Sequence, residues 1–195
     1  GLLSAAMHAG CSGLVIVPTA IAYDFVLEDH VLARQGVKRR QRSFARELAE
    51  MIRLAVGYQS RAYVTFGQPI PTANWDPSSR REVMALGQHI REQIGRLHKV
   101  LPTALLASAL RASTARRELE TRIDDLLEIL RSVNANLAVA SGRQAVDEAA
   151  GPFETRGVIV VTNGRFRVRD RTVLRYYART IQHLLAAATK TGRPH

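Results

Sequence analysis

The chain has 195 residues and a formal net charge of +11, with 28 arginines and lysines against 17 aspartates and glutamates. Its composition, 46% hydrophobic and 23% charged, is that of a globular protein and excludes wholesale disorder. No apolar run reaches the roughly 18–20 residues that a membrane span needs, and the single cysteine cannot form a disulfide within the chain. The positive charge favours polyanionic partners: nucleic acid, anionic lipid or phosphorylated small molecules.

The first half of the chain shows a strand, helix, strand pattern. Leu14–Ile21 is a continuous apolar run, typical of a buried strand in a parallel or mixed sheet. Apolar residues recur every four positions over residues 41–56 and predict an amphipathic helix. Arg61–Phe66 is rich in β-branched and aromatic residues and predicts a second strand, which prolines end. This order predicts a βαβ-type crossover between parallel strands, as the remnant of a larger sheet.

The chain also begins in an unusual way. Residues 1–10 start with Gly1 and have helical apolar spacing but no signal-peptide pattern. A helix that lacks its first residues is expected of a truncated chain. The alternative is a chain that was shortened deliberately.

A second, mainly helical region is predicted to follow. Ser79 and Glu82 have capping-box spacing and predict the start of a long helix, which Pro102 ends. We therefore divide the chain into residues 1–78, the α/β part, and residues 79–195, a helical region with a hairpin over 158–169. The fold class is α/β.

Spacing within the helical region predicts its elements in turn. Asn163-Gly164 predicts a type I′ hairpin turn, because both of its central positions need a positive φ angle. Ser113-Thr114 is predicted to cap a helix that runs to Val133. The other predictions are a short helix over Thr103–Leu110, a loop over Asn134–Gly142, a short helix over Arg143–Ala150 and a final helix from Val173 to about Ala188.

The residues alone indicate no catalytic centre. None of the six histidines is followed by an acidic residue five positions later. His89 and His98 are about 2.5 helical turns apart and so point to opposite faces, which makes them a poor metal pair. No cysteine–histidine cluster, nucleophile elbow, phosphate loop or dinucleotide fingerprint occurs. The sequence therefore predicts no catalytic residue, no metal and no cofactor.

Two basic features allow more than one interpretation. Lys38–Arg42 is the densest basic cluster and is either a solvated helix entry or a neighbour of a phosphate group. Arg165, Arg167 and Arg169 alternate along a strand and therefore share one face of the hairpin. That face is either a polar outer surface or the wing of a winged-helix DNA-binding module. The candidate recognition helix, Arg117–Arg131, holds more acids than bases, which argues against nucleic acid.

Five stretches of the chain resemble the glycerol-3-phosphate acyltransferase family of phospholipid synthesis. They run in the family's order and span residues 14 to about 185. In that order they are Ile16–Ile21 with Tyr23–Glu28, Gly36–Ser43, Tyr63–Ile70, Thr103–Ser108 and Tyr176–Leu184. The first resembles the family's V-P strand block, and the third resembles its V-x-F-G-x-P strand end.

The resemblance implies an enzyme that moves an acyl chain from acyl-CoA or acyl carrier protein to glycerol-3-phosphate. In the family a histidine, followed by an aspartate five positions later, acts as general base. This block precedes the V-P strand and is absent here, so we expect a C-terminal fragment that is inactive by itself. Ile16, Val17 and Pro18 resemble the block associated with substrate and acyl binding, with plain sheet core as the alternative. The resemblance also implies attachment to the cytoplasmic face of the cell membrane.

Overall fold

The computed structural model describes residues 5–7, 13–26 and 60–191. They form a mixed α/β structure with several helices and small sheets, which confirms the predicted fold class. The predicted helix over 41–56 and the basic cluster Lys38–Arg42 lie outside the described residues. The described residues divide into two compact units. Unit 1 contains residues 5–7, 13–22 and 63–99, and unit 2 contains residues 23–26, 60–62 and 100–191. The predicted boundary at residue 79 stays a prediction.

The elements are short in the first half and longer in the second. The strands are β1 Val15–Ile16, β2 Thr19–Tyr23, β3 Ala62–Phe66, β4 Ile70–Pro71, β5 Lys99–Val100, β6 Ser113–Ala115, β7 Asn136–Leu137, β8 Ile159–Thr162 and β9 Arg165–Val168. The helices are α1 Arg80–Leu97, α2 Pro102–Ala109, α3 Arg116–Ser132, α4 Gly142–Thr155, α5 Arg171–Arg179 and α6 Gln182–Thr191, with a 3-10 turn at Thr72–Asn74.

The strands of unit 1 pair antiparallel, so the predicted parallel crossover is wrong. Ile16 of β1 lies opposite Ile70 of β4. Further along, the amide of Gly67 donates to the carbonyl oxygen of Pro18 at 2.8 Å. From the first pair to the second, one strand advances two residues (16 to 18) while the other goes back three (70 to 67). The extra residue is a β-bulge at 67–69, where Pro69 has no amide hydrogen for a regular ladder.

Helix α1 begins where its capping residues predict. The hydroxyl of Ser79 accepts a hydrogen bond from the amide of Glu82, 3.3 Å away. The Glu82 carboxylate does not return to the Ser79 amide but accepts from the amide of Asp76 at 2.7 Å. Leu86 is fully buried, whereas Val83, Ile90, Ile94 and Leu97 on the same stripe are only partly covered.

Helix α2 forms the centre of unit 2. It packs against α3, α4 and α5, and seven of its eight residues are buried. A helix that is apolar on all faces is stable only inside such a core, and Pro102 at its start lacks only an amide that would be unpaired there. The structure confirms this predicted helix. Helix α3 is confirmed too, and it buries Leu119, Ile123, Leu127 and Leu130.

The hairpin is confirmed and belongs to a three-stranded sheet of order β6-β9-β8. Asn163 and Gly164 both have positive φ angles, 52° and 69°. Ser113 and Thr114 do not cap α3 as predicted, because they form strand β6 on the free edge of β9. The buried Thr114 hydroxyl instead accepts from the amide of Arg111 at 3.2 Å.

Three other boundaries differ from the predictions. The predicted short helix is the longer α4, which Ser141 caps by accepting from the amide of Gln144. The predicted loop before it contains β7. The predicted final helix is two helices, α5 and α6, divided at Thr180, whose hydroxyl donates to the carbonyl of Tyr177 at 2.8 Å. Tertiary pairing and this side-chain bond, neither readable from spacing, account for the changes.

Candidate functional site

The residues predicted to bind substrate lie on the antiparallel ladder of unit 1. Ile16 is half-buried and lies opposite Ile70. Val17 is 45% exposed, whereas Pro18 is buried and bonded to Gly67. The structure thus brings two of the family-like motifs, the V-P strand and the F-G-x-P strand end, directly opposite one another. A substrate-binding role for Ile16, Val17 and Pro18 stays a prediction.

One face of this ladder is apolar and exposed. Ile21 lies three residues beyond Pro18 and Val64 three residues before Gly67, so the two are antiparallel partners on the same face. Ile21 and Val64 are each about half exposed, and Phe66, two residues along on the same side, is 70% exposed. Apolar patches of this kind mark ligand or partner surfaces.

The close approach of the two motifs depends on Gly67. A Cβ atom at this position would lie 2.9 Å from Leu97 Cδ1 and 3.4 Å from Pro18 Cβ. Glycine is therefore favoured by limited space, since a larger residue would displace the end of the Leu97 side chain, and not by backbone conformation, since the position does not have a positive φ angle. Leu97, at the end of α1, lies against the ladder at this point.

An open pocket of about 430 Å³ lies next to β4 in unit 1. Ile70 and Pro71, the ladder partners of Ile16 and Val15, form one side of it. The remaining lining residues come from the 3-10 turn and from α1: Asn74, Trp75, Glu82 and His89. Ile16, Val17 and Pro18 are not among the lining residues, so the pocket touches the predicted site only through their partners.

The pocket combines apolar walls with a few polar groups. The rings of Trp75 and His89 stack with their centroids 6.4 Å apart and an interplanar angle of 29°. The bond from the Asp76 amide to Glu82 fixes the loop that carries Trp75 onto α1. Apolar walls with a few placed polar groups are usual in small-molecule pockets. Sequence reasoning missed this group, although Glu82 and His89 are seven residues apart and share a helix face.

In unit 2 the hairpin arginines lie as the sequence predicts. Arg165, Arg167 and Arg169 are exposed, whereas Phe166 between them is 3% exposed. Arg165 Nε donates to the hydroxyl of Ser113 on the neighbouring strand at 3.2 Å. The structure therefore confirms one arginine face on this sheet.

Most acidic side chains of unit 2 lie on α3 and α4, and three of them, Glu118, Glu120 and Asp147, form ion pairs with arginines. Arg116 contacts both Asp147 and Glu120, and these carboxylates, Asp147 first, raise its pKa. Arg122 pairs with Glu118 at 2.7 Å. These groups are partly exposed, so each pair contributes at most about 1 kcal/mol to stability.

Two findings concern metal binding and membrane crossing in the described ranges. There, no group of three or more histidine, cysteine, aspartate or glutamate side chains could hold a metal ion. No helix in the same ranges is both long and apolar enough to cross a membrane.

Comparison with known protein families identifies one family for the chain. The family model of the glycerol-3-phosphate acyltransferase C-terminal region matches residues 46–189, which are 144 of the 195 residues. A search of curated proteins found no match. The family match confirms the resemblance inferred from the motifs, and no finding supports the DNA-binding alternative.

Proposed function

This chain belongs to the family of glycerol-3-phosphate acyltransferase C-terminal regions, and we propose that it is part of an enzyme that acylates glycerol-3-phosphate in phospholipid synthesis. The acyl donor is acyl-CoA or acyl carrier protein. The observation that carries the proposal is the family match over about three quarters of the chain. The pairing of Pro18 with Gly67 supports it, because two separate family-like motifs then form one structural unit.

The reaction needs a general base that this chain does not supply. The glycerol-3-phosphate hydroxyl oxygen attacks the thioester carbonyl, an ester forms, the thiol leaves, and a base takes the hydroxyl proton. In the family that base is a histidine with an aspartate five positions later, a pattern that none of the six histidines meets. We therefore propose that residues 1–195 alone do not catalyse the transfer.

In this proposal the ladder of unit 1 supplies a wall for the acyl donor. Val17 and the face that contains Ile21, Val64 and Phe66 present the apolar surface that an acyl chain would cover. The product is an acylated glycerol phosphate, an anionic amphiphile that partitions into a bilayer. We therefore propose that the enzyme is located at the cytoplasmic face of the cell membrane.

An assay of two proteins tests the proposal. The first is residues 1–195, and the second is the same chain extended by whatever the coding DNA immediately upstream encodes. Each is given radiolabelled glycerol-3-phosphate with acyl-CoA or acyl carrier protein, and labelled lipid is extracted. We expect product from the extended protein alone. Turnover by residues 1–195 would contradict the missing base, and no turnover by the extended protein with either donor would contradict the acyltransferase assignment.

The wall is tested in the extended protein by Val17→Asp. A carboxylate on the apolar face should raise the KM for the acyl donor about tenfold or more, since burying an unpaired charge is costly. The KM for glycerol-3-phosphate should not change. Ile129→Asp is the matched control, because Ile129 is equally exposed, at 43%, but lies on α3 of unit 2. Equal effects of the two substitutions would remove Val17 from the acyl site.

A further inference from the structure

We infer that the arginine face of the three-stranded sheet in unit 2 is a docking surface for anionic lipid. This inference rests on the proposed function, because the lipid product defines the surface at which the enzyme works. The residues that carry it are Arg165, Arg167 and Arg169, which the preceding sections place on the exposed side of β9 and just after it.

The register shows that the residues directly opposite Arg165 and Arg167 are neutral. Arg167 lies between Ser113 on β6 and Val160 on β8. Arg165 lies in the same way between Ala115 and Thr162. Directly opposed residues in antiparallel strands share a face, so each arginine has only neutral cross-strand neighbours.

The surrounding sequence increases the positive charge. Residues 165–179 contain six arginines and one acidic residue, Asp170. Its carboxylate is already used at the start of α5, where it accepts from the amides of Thr172 and Val173. All six arginines are exposed, and none is in an ion pair with another residue of the described ranges.

The charge distribution of unit 2 favours a flat anionic surface over a nucleic acid groove. Helix α3, which directly follows β6, would be the helix presented to a groove. It carries five acidic residues and four arginines, and two of the arginines already pair with carboxylates. Phosphates would repel these acids, whereas the arginines on and just after β9 can meet a charged plane without inserting α3.

The test is sedimentation of residues 1–195 with vesicles of phosphatidylcholine, with and without phosphatidylglycerol. We expect binding only to the anionic vesicles and weakening as salt is raised. Each arginine near such a surface changes affinity roughly fivefold, so R165Q/R167Q/R169Q should weaken binding by about a hundredfold. The matched control, R81Q/R91Q/R117Q, removes the same charge from exposed arginines elsewhere and should weaken it much less.

Three other outcomes would decide against a lipid-docking surface. Equal loss in the two variants would show that net charge alone matters, and no vesicle binding would overturn the surface altogether. Tighter binding to duplex DNA at matched phosphate concentration, lost in R165Q/R167Q/R169Q, would make nucleic acid the partner. Thermal unfolding of both variants checks that each is folded. Vesicle binding without turnover by the extended enzyme would reject the proposed function while leaving the surface in place.

Discussion

The amide of Gly67 and the carbonyl oxygen of Pro18 are 2.8 Å apart, and this bond joins the two family-like motifs of unit 1. Pro18 has no amide hydrogen, so the pair can make only this one backbone bond. The motifs are 49 positions apart in sequence (67 minus 18), yet each fixes the other's local geometry. The two motifs are therefore linked by strand pairing, in addition to any role that their residues have at a site.

Gly67→Ala should destabilise unit 1. The new Cβ would lie 2.9 Å from Leu97 Cδ1, which is the end of a flexible side chain, so Leu97 can move only at a cost. We expect the free energy of unfolding to fall by about 1 kcal/mol, as for mild overpacking. Urea denaturation followed by circular dichroism measures it.

Gly87→Ala is the control for this substitution. Nothing lies within 4 Å of a Cβ at Gly87, which is inside α1. Alanine is favoured over glycine in a helix interior by about 1 kcal/mol, so this variant should be more stable than the parent. If both substitutions shift stability in the same direction, the close contact at Gly67 is wrong.

Asp24→Ala should destabilise unit 2 more strongly. Asp24 is 8% exposed, and its side chain accepts four hydrogen bonds. Three reach Oδ1, from the amides of Phe25 and Arg61 and the hydroxyl of Ser60, and one reaches Oδ2 from Arg61 Nε. Leaving part-buried donors unpaired costs about 2–3 kcal/mol in total.

The exposed Asp125→Ala is the comparison for Asp24. Asp125 lies on the solvent side of α3, and such surface changes stay within about 0.5 kcal/mol. Urea midpoints of the two variants and the parent should separate accordingly. Equal midpoints for all three proteins would show that the Asp24 bonds contribute nothing measurable.

Local patterns predicted the elements that local chemistry determines. The Asn163-Gly164 turn needs only two positive φ angles, and the buried stripe of α3 follows from helical spacing. Strand direction in unit 1 was predicted wrongly because a long connection between two strands permits either orientation. The pairing of β1 with β4 and the hydrogen bond between Gly67 and Pro18 decide it.

The pocket of unit 1 shows why a site is harder to predict than an element. Trp75 is in a loop and His89 is on a helix, and no sequence spacing relates them. Their stacking follows from the bond between the Asp76 amide and Glu82, which folds the loop onto α1. Ser113 and Thr114 are a similar case. Their sequence is typical of a helix cap, but they form strand β6 because they pair with the edge of β9.

Tyr177→Phe should measure how firmly unit 2 holds residues 23–26. The Tyr177 hydroxyl accepts from the amide of Val26 at 3.1 Å. Phenylalanine keeps the edge-to-face ring contacts with Phe25 and Phe153, whose centroids are 6.1 and 5.2 Å away. The hydrogen bond from the Val26 amide is lost, so the free energy of unfolding should fall by about 1 kcal/mol.

Hydrogen exchange gives the second measurement for this variant. The Val26 amide should exchange faster in Tyr177→Phe than in the parent, relative to amides in the core of α2. Unchanged protection at Val26 would mean that the hydroxyl does not hold this segment.

Gly142→Ala should be the most damaging of these substitutions. A Cβ at Gly142 would lie 2.0 Å from the backbone oxygen of Glu120, and backbone cannot move aside as a side chain can. The Gly142 amide also donates to Asp124 Oδ1 at 2.6 Å, which sets the start of α4 against α3. We expect a loss of more than about 3 kcal/mol, in the range that indicates a specific steric mechanism. Gly151→Ala, in the same helix with nothing within 4 Å of its Cβ, should not lower stability. Thermal unfolding of both variants decides the matter, since a Gly142→Ala protein as stable as Gly151→Ala would contradict the close packing of α4 on α3.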